Sequence, residues 1–235
     1  MPRRLFLPGA DLTVPSIQIA GPDFHHLVNV LRMQPGEDVV ILDNHGNGCR
    51  AEITRIGKRE IEAAIVGPET VPPEPATHVT IAQALGKGDR FEQVIQHCTE
   101  LGASAFIPLV TERTVVRLTA RATEIKLTRW RAIAKGAAEQ AGRARIPTIQ
   151  PVSSLHETLR RSDDYAVRWM LDQGGERLQN SQVQKNCVVL VGPEGGFAAD
   201  EIKAGNLAGV QIVSLSPHTL RTETAALAAL SRILS

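Results

Sequence analysis

The sequence is poor in aromatic residues: two Trp, one Tyr and five Phe make up 3% of the 235 residues. Proteins that bind single-stranded nucleic acid often stack bases on aromatic rings, and a chain with so few rings cannot use stacking as its main mode of contact. Cysteine is also scarce. The three cysteines, Cys49, Cys98 and Cys187, are far apart, which argues against a disulfide framework or a cysteine-based zinc site and predicts reduced, buried thiols.

Long apolar segments are missing as well. No stretch approaches the roughly 18 apolar residues of a membrane-spanning helix. The first residues, Met-Pro-Arg-Arg-Leu-Phe, lack the apolar core of a signal peptide. We therefore expect no membrane association and a cytoplasmic location.

Motifs of several common enzyme classes are absent. No Gly-Lys-Ser/Thr and no Gly-x-Gly-x-x-Gly occur, which argues against a phosphate-binding loop or a dinucleotide fingerprint. Gly-x-Ser-x-Gly is missing, so hydrolase chemistry at a nucleophile elbow has no support. The seven histidines show no His-Glu-x-x-His or comparable spacing, and we predict no metal site.

Proline marks a boundary in the chain. Residues 66–77 hold four prolines and one glycine, a density that neither a helix nor a central strand tolerates. Before this segment, short alternating runs are separated by turn sequences, and a short helix is predicted near residues 23–31. We predict a small, mostly β domain over residues 1–70, a linker over 71–77 and a second domain over 78–235.

In the second domain, strand and helix patterns alternate, which predicts an α/β fold with a mainly parallel sheet covered by helices. Asp89-x-x-Glu92 resembles a capping box at the start of a helix that Gly102 ends, and Ser154-x-x-Glu157 predicts the start of a shorter helix. A helix over residues 120–141 is expected to bury one apolar set: Ile125, Ile133, Ala137 and Ala138.

Two segments near the C-terminus carry the strongest functional signal. Residues 191–197, Val-Gly-Pro-Glu-Gly-Gly-Phe, join a buried strand to the acid-rich first turn of a helix, and residues 215–225 again join a strand to a helix. Glycine at 192, 195 and 196 permits positive φ and close approach of the backbone to a ligand. Loops at the carboxyl ends of parallel strands bind small ligands in open α/β sheets. We predict one site made of both loops, although the first alone is equally typical of an ordinary tight turn.

Positive charge is concentrated in one segment. Residues 111–145 hold nine Lys or Arg against three Glu, a net charge of +6 in a chain whose total is +1. Such a segment is typical of a solvated helix face, but an excess of this size in a near-neutral protein also fits a polyanion-binding surface.

The C-terminal loops carry a resemblance to a known family. Gly192-Pro193-Glu194-Gly195-Gly196 followed by Leu220-Arg221-Thr222-Glu223-Thr224-Ala225 resembles the ribosomal RNA small-subunit methyltransferase E family, within the SPOUT class of RNA methyltransferases. The chain departs from the family pattern at Ser216-Pro217-His218-Thr219, at His97 and at Ala141. Further matches lie upstream: Lys87-Gly88-Asp89-Arg90, Thr99-Glu100-Leu101-Gly102, Glu112-Arg113-Thr114-Val115, Glu139-Gln140-Ala141-Gly142-Arg143, His26-Leu27 and Val30-Leu31-Arg32.

The resemblance implies a function and an architecture. The cofactor would be S-adenosylmethionine, and the reaction would be methylation of a uridine at N3 in 16S ribosomal RNA of the small ribosomal subunit. The first domain would be a PUA-like RNA-binding β-barrel, and the second a SPOUT domain with a trefoil knot. A homodimer with the cofactor loops at the subunit interface is also implied.

Within this framework we predict roles for individual residues. Arg221 would stabilise negative charge that develops on the uracil ring, and Glu223 would orient Arg221 or accept a proton. An ion pair between them that merely anchors the last helix is the open alternative, and Glu194 could simply accept backbone N–H groups. The predicted cofactor-binding residues are Leu171, Val191, Gly192, Pro193, Glu194, Gly195, Gly196, Leu215, Ser216, Leu220 and Thr222. The predicted RNA-binding residues are Arg3, Arg4, Arg32, Lys87, Arg113, Arg129, Lys135 and Arg143.

Two other classes of function stay open. A non-catalytic RNA-binding or ribosome-assembly protein of the same fold would bind RNA but not S-adenosylmethionine. A general α/β enzyme acting on a small metabolite would need no RNA and would leave the basic segment unexplained.

Overall fold

The computed structural model describes residues 3–178 and 186–235, and the chain forms two compact units. The first unit takes residues up to Glu74 together with Ala138–Ile146, and the second takes Pro75–Ala137 together with Pro147–Ser235. The division at Glu74 falls inside the predicted linker. The return of residues 138–146 to the first unit was not indicated by any motif.

The first unit is built on five strands: β1 Arg3–Phe6, β2 Ser16–Ala20, β3 Asp38–Leu42, β4 Gly48–Ile56 and β5 Glu60–Glu69. They form one sheet in the order β1-β3-β4-β5-β2, in which β1 and β3 are parallel and all other neighbours antiparallel. Leu5 of β1 and Ile19 of β2, from the two edges, are buried in the same apolar cluster. The sheet therefore curls around this cluster, as expected for a small β domain.

A short helical segment follows β2, as predicted. It consists of the α-helix α1, Gly21–His25, and a π-helical turn, His26–Val30. Leu27 of this turn is fully buried, and the half-buried Phe24 and Val28 pack against the same core. Arg32 follows with a φ of 55°, in the left-handed region.

The returning segment, residues 138–146, is held in the first unit by a buried ion pair. The Glu74 carboxylate accepts hydrogen bonds from the backbone N–H groups of Ala144 at 3.0 Å and Arg145 at 3.1 Å. It also pairs with the Arg143 guanidinium, whose side chain is 9% exposed. Removing one partner of such a pair leaves an uncompensated buried charge. Arg143, which we predicted to bind RNA, is thus committed to holding the chain together.

The second unit contains a parallel sheet of seven strands: β6 Val79–Ala84, β7 Ala105–Val110, β8 Thr148–Ile149, β9 Ser153–Ser154, β10 Val167–Arg177, β11 Cys187–Val191 and β12 Gln211–Ser214. The order is β12-β10-β11-β6-β7-β8, with β9 also pairing with β7. Every pairing is parallel, which confirms the predicted sheet. All residues of β6 and β11 are buried, so these strands form the centre. The trefoil knot stays a prediction.

Five α-helices accompany the sheet: α2 Arg90–Leu101, α3 Ala120–Ala141, α4 Leu155–Arg160, α5 Ala199–Leu207 and α6 Thr222–Leu234. The Ser154 hydroxyl caps α4 as predicted, accepting from the Glu157 N–H at 3.2 Å. The capping box predicted at Asp89 is wrong, because the Asp89 side chain makes no capping hydrogen bond. Glu92 instead pairs with Arg129 at 2.6 Å, and a charge-assisted contact of this kind is stronger than a neutral one.

The prediction for the buried face of α3 is confirmed at Ala137 and Ala138 but wrong at Ile125. Ile125 is 63% exposed and Ile133 is half-buried, whereas Leu127, Trp130 and Ala134 are buried as well. Trp130 packs edge-on against Phe91 of α2, with ring centroids 4.6 Å apart, and this large contact sets the rotation of the helix. Ile125 then faces solvent, since residues two positions apart lie about 200° apart around a helix.

Helix α6 packs against α2 and against the central strands β6 and β11. The side chains that it buries there are Ala226, Ala229, Leu230 and Ile233. Small residues at these positions let the helix lie close to the sheet, which brings its first turn near the ends of the central strands. In the two described ranges, no helix combines the length and apolar character required to cross a bilayer.

Candidate active site

A cavity of about 320 Å³ opens at the carboxyl ends of β11 and β12, beside residues 171–173 of β10. Neighbouring parallel strands end at the same edge of a sheet, so the loops that follow them meet there. The volume falls within the ~300–1,000 Å³ typical of small-molecule sites. All predicted cofactor residues except Gly195 line the cavity: Leu171, Val191, Gly192, Pro193, Glu194, Gly196, Leu215, Ser216, Leu220 and Thr222.

The first loop, residues 191–197, depends on two glycines. Gly196 has a φ of 67°, and its N–H donates to the Pro193 carbonyl at 2.9 Å, which closes a tight turn. At Gly192 a Cβ would lie 3.2 Å from the Gly196 carbonyl carbon and from the Phe197 ring. Gly195 was expected to serve in the same way, but its φ is not positive and a Cβ there would make only ordinary contact with Arg113 at 3.4 Å.

The second loop, residues 215–221, contains the departure from the family pattern. The His218 N–H donates to the Ser216 hydroxyl at 3.1 Å, and the His218 carbonyl accepts from the Gln173 amide at 3.0 Å. The substituted residues thus supply their own internal hydrogen bond and a link to β10.

The segment that Gln173 belongs to, residues 172–175, is an irregularity within β10 that the sequence did not lead us to predict. β10 pairs with β12 as far as Leu171, and pairing resumes only at Glu176, so the four residues between them bulge out of the sheet. Asp172 and Gln173 line the cavity. A Cβ at Gly175 would lie 2.6 Å from the Ile212 backbone. Gly174-Gly175 after an apolar strand was the available signal, because glycine within a strand pattern indicates a bulge or a close approach.

A buried hydrogen-bond chain connects β6 to the two predicted loops. The Gln83 amide donates to the Thr222 hydroxyl at 2.7 Å, and the hydroxyl donates to the Gly192 carbonyl at 2.6 Å. The direction is fixed, because a carbonyl oxygen only accepts and the hydroxyl has a single proton. The chain holds the first turn of α6 against the first loop. Thr222, predicted to contact the cofactor, lines the cavity, and its hydroxyl is engaged in this chain.

The segment after β7, residues 111–115, braces the first loop from outside. Arg113 donates through Nη1 to the Gly195 carbonyl at 2.6 Å. The Glu201 carboxylate accepts from the N–H groups of Glu112 at 2.8 Å and Ala198 at 2.9 Å. Arg113, predicted to bind RNA, is thus exposed beside the cofactor loop.

The two predicted catalytic residues differ in position. Arg221 is exposed and lines the cavity, whereas Glu223 does not line it and is only 17% exposed. In the part of the chain that the structure describes, no ion pair joins them, which argues against the alternative in which such a pair merely anchors α6. Glu223 faces Arg90 instead, with Nη1 to Oε2 at 3.8 Å, and the same Nη1 lies 3.3 Å from Glu194 Oε1. Arg90 lies close to Glu223 because it is the first residue of α2, and α2 packs against α6.

The remaining residues predicted to bind RNA occur in both units. Arg3, Arg32, Lys87 and Arg129 are exposed, and Arg4 and Lys135 are half-buried. On α3, Arg121, Arg131 and Lys135 fall within about 80° of one another at 3.6 residues per turn. Arg129 lies about 80° from Arg121 and about 160° from Arg131, and it pairs with Glu92.

Thiol and metal chemistry gain no support from the structure. Burial raises the pKa of the Cys98 and Cys187 thiols to about 12, so neither forms a thiolate near neutral pH. Cys49 is also a buried free thiol. Among residues 3–178 and 186–235, no three His, Cys, Asp or Glu side chains are grouped so that they could hold a metal ion.

Two family models match the chain. The RNA methyltransferase domain matches residues 72–234, and the RNA methyltransferase PUA domain matches residues 19–66. With the parallel sheet and the strand-end cavity, these matches define the class, an α/β RNA methyltransferase with an N-terminal PUA domain.

Named relatives and solved structures narrow this class. The chain is 34% identical over 229 residues to ribosomal RNA small subunit methyltransferase E of Bacillus subtilis, covering 93% of this chain and 90% of that protein. A Legionella pneumophila methyltransferase in complex with S-adenosylmethionine matches with a TM-score of 0.91 at 30% identity, covering 98% of this chain and 96% of that one. Ribosomal RNA small subunit methyltransferase E of Neisseria gonorrhoeae, bound to the same cofactor, gives 0.86 at 31% identity, with the same coverage. The chain belongs to the ribosomal RNA small subunit methyltransferase E family.

The close packing at Gly192 gives a direct test of the cavity. Gly192→Ala should weaken binding of S-adenosylmethionine, the ligand of the two related structures, by roughly tenfold or more. The added Cβ would lie 3.2 Å from two parts of the loop, which must then shift. Calorimetry without RNA measures the affinity, and circular dichroism checks the fold.

The matched control is Gly136→Ala on α3, where an added Cβ meets nothing within 4 Å. Its affinity should equal that of the unmodified protein. Unchanged binding by a folded Gly192→Ala protein would mean that the ligand binds elsewhere.

Proposed function

We propose that this protein transfers a methyl group from S-adenosylmethionine to N3 of a uridine in 16S ribosomal RNA of the small ribosomal subunit. The observation that carries the proposal is the convergence of two strand-end loops and the bulge within β10 on one cavity. Family membership supports the same reaction. A ribosomal substrate would place the activity in the cytoplasm.

The lining of the cavity suits S-adenosylmethionine. Leu171, Val191 and Leu215 provide an apolar wall for a nucleoside, and the glycine-containing first loop presents backbone groups that can recognise its polar edges. Asp172 and Ser216 add side-chain oxygens at the same edge of the sheet. When bound, the cofactor supplies an activated methyl group on a sulfonium centre.

The protein's own contribution is largely orientation, because methyl transfer is a displacement that requires the reacting atoms to be held in line. Uracil N3 also carries a proton, and negative charge spreads to the ring oxygens as that proton leaves. Arg221 is suited to stabilise this charge, since it is a permanent cation on the cavity wall. Glu223 lies outside the lining, so we assign it a positioning role in place of direct proton transfer.

We assign RNA binding to positively charged side chains rather than to stacking of bases on aromatic rings. The face of α3 that carries Arg121, Arg131 and Lys135 presents several cations in one direction, as a phosphate backbone requires. In the described ranges, neither Arg121 nor Arg131 has a carboxylate within ion-pair distance. Both are therefore available to phosphate.

We also propose that the protein is a homodimer, as the resemblance implies. Helix α6 buries Ala226 and Ala229 within its own unit, but Leu227 and Ala228 remain half-buried on its outer side. Such a small apolar surface is suited to close helix packing against a second copy.

Replacement of Arg221 tests the catalytic assignment. Arg221→Ala should lower kcat by roughly 10²–10³-fold, as for loss of one group that stabilises charge in a transition state, and should leave the affinity for S-adenosylmethionine within a few-fold. Arg221→Lys keeps the charge and should retain more turnover. Methyl incorporation into small subunits from cells lacking the endogenous enzyme gives kcat. If the unmodified protein binds the cofactor but transfers no methyl group, the non-catalytic RNA-binding function would be favoured.

The basic face of α3 is tested by salt dependence. Arg121→Gln combined with Arg131→Gln should weaken RNA binding and reduce the slope of log affinity against log salt by about one for each lost phosphate contact. Lys203→Gln, an exposed lysine on α5, is the control and should leave the slope unchanged. An unaltered slope in the double variant would identify this face as merely solvated.

The dimer is tested by light scattering. The protein should have twice the chain mass, and Leu227→Glu should shift it toward monomer by burying a charge at the proposed interface. Leu207→Glu changes a leucine that is 82% exposed on α5 and should leave the mass unchanged. A fully active monomer would refute the dimer, and an intact Leu227→Glu dimer would place the interface elsewhere.

A further inference from the structure

The Arg90 guanidinium lies close to two carboxylates, one in the first cofactor loop and one in the first turn of α6. Arg90, the first residue of α2, has its Nη1 3.3 Å from Glu194 Oε1 and 3.8 Å from Glu223 Oε2. Glu194 belongs to the first cofactor loop, and Glu223 follows the second loop in the first turn of α6. Arg90 itself lines the cavity.

The burial of Glu223 makes this cation necessary. Its side chain is 17% exposed, and its Oε2 is buried without a hydrogen-bond donor among the described residues. A carboxylate in such a position is unfavourable unless a positive charge is close. Glu194 brings a second negative charge to the same guanidinium. Without Arg90, the carboxylates of Glu194 and Glu223 would repel each other.

The packing around Arg90 leaves room for this arrangement. A Cβ at Gly86, in the turn after β6, would lie 3.1 Å from Glu194 Oε1 and 3.3 Å from Arg90 Cδ. The turn thus approaches both charged side chains closely. Arg113, the other arginine beside the first loop, donates to the Gly195 carbonyl at 2.6 Å, and its contact leaves both carboxylates to Arg90.

We propose that Arg90 is a positioning residue that holds the first cofactor loop and the start of α6 together by sharing its charge between Glu194 and Glu223. This role deepens the proposed function, on which its relevance to methyl transfer rests. Arg90 need not touch the reacting atoms, because its effect passes through the two loops that form the cavity.

A charge-neutralisation series tests the proposal. Arg90→Met should lower the melting temperature of the ligand-free protein and weaken S-adenosylmethionine binding by roughly tenfold. Arg90→Lys, which keeps the positive charge, should recover part of both losses. Adding Glu194→Gln and Glu223→Gln to Arg90→Met should restore most of the lost melting temperature, because no repulsion remains. Arg55→Met breaks an exposed Arg–Glu pair in the first unit and is the control for loss of one arginine.

The restoration distinguishes charge sharing from simple packing. Additive losses in the triple variant, or an Arg90→Met protein that melts and binds like the unmodified one, would overturn the proposal. Melting of the ligand-free protein is informative whether or not methyl transfer occurs. If the unmodified protein fails to bind the cofactor while the melting series behaves as expected, the proposed function fails and the role of Arg90 stands.

Discussion

The site depends on a buried hydrogen-bond chain that runs from Gln83 through Thr222 to the Gly192 carbonyl. Strand β6 is central and fully buried, so its glutamine is a fixed reference for both loops. A typical intramolecular hydrogen bond contributes about 1 kcal/mol, but leaving a buried partner unsatisfied costs ~1–3 kcal/mol. The chain therefore penalises any arrangement in which α6 and the first loop separate. Around it, the cavity can be shaped by loops that have little regular structure.

Positively charged side chains are the second organising feature, and they act both at the cavity and on α3. Close to the cavity, Arg90 balances two carboxylates and Arg221 remains exposed at the wall. Farther away, α3 presents further cations on one face. Two other arginines stabilise the fold: Arg143 holds the returning segment to Glu74, and Arg113 supports the first loop. A count of basic residues in the sequence therefore overstated the charge that is available to RNA.

Much of the architecture could be predicted from local pattern. Helix α3 has the bounds that its sequence indicates, residues 120–141, because apolar periodicity and a terminal glycine act within a few residues. The cavity walls were also predictable, since strand-glycine-helix motifs at two strand ends imply a shared edge. Most of the cofactor-binding residues that we assigned from the family motifs line the cavity.

What escaped prediction depends on contacts distant in sequence. The burial of Arg143 requires Glu74, which lies 69 residues earlier. The rotation of α3 is set by Trp130 against Phe91, and helical periodicity alone does not choose between neighbouring apolar faces. The 172–175 bulge is defined by its register with β12. Gly195 does not have a positive φ, because the turn requires a positive φ at Gly196 instead.

The proposed role of the cavity is to direct a methyl group to uridine N3 in 16S ribosomal RNA. This role is tested most directly by nucleoside mass spectrometry of that RNA, isolated from small subunits incubated with the protein and S-adenosylmethionine. We expect a single new species, 3-methyluridine, formed in an amount that approaches one per subunit. A methyl group on the ribose, on another ring atom or on another nucleoside, or no new species although the cofactor is bound, would contradict it.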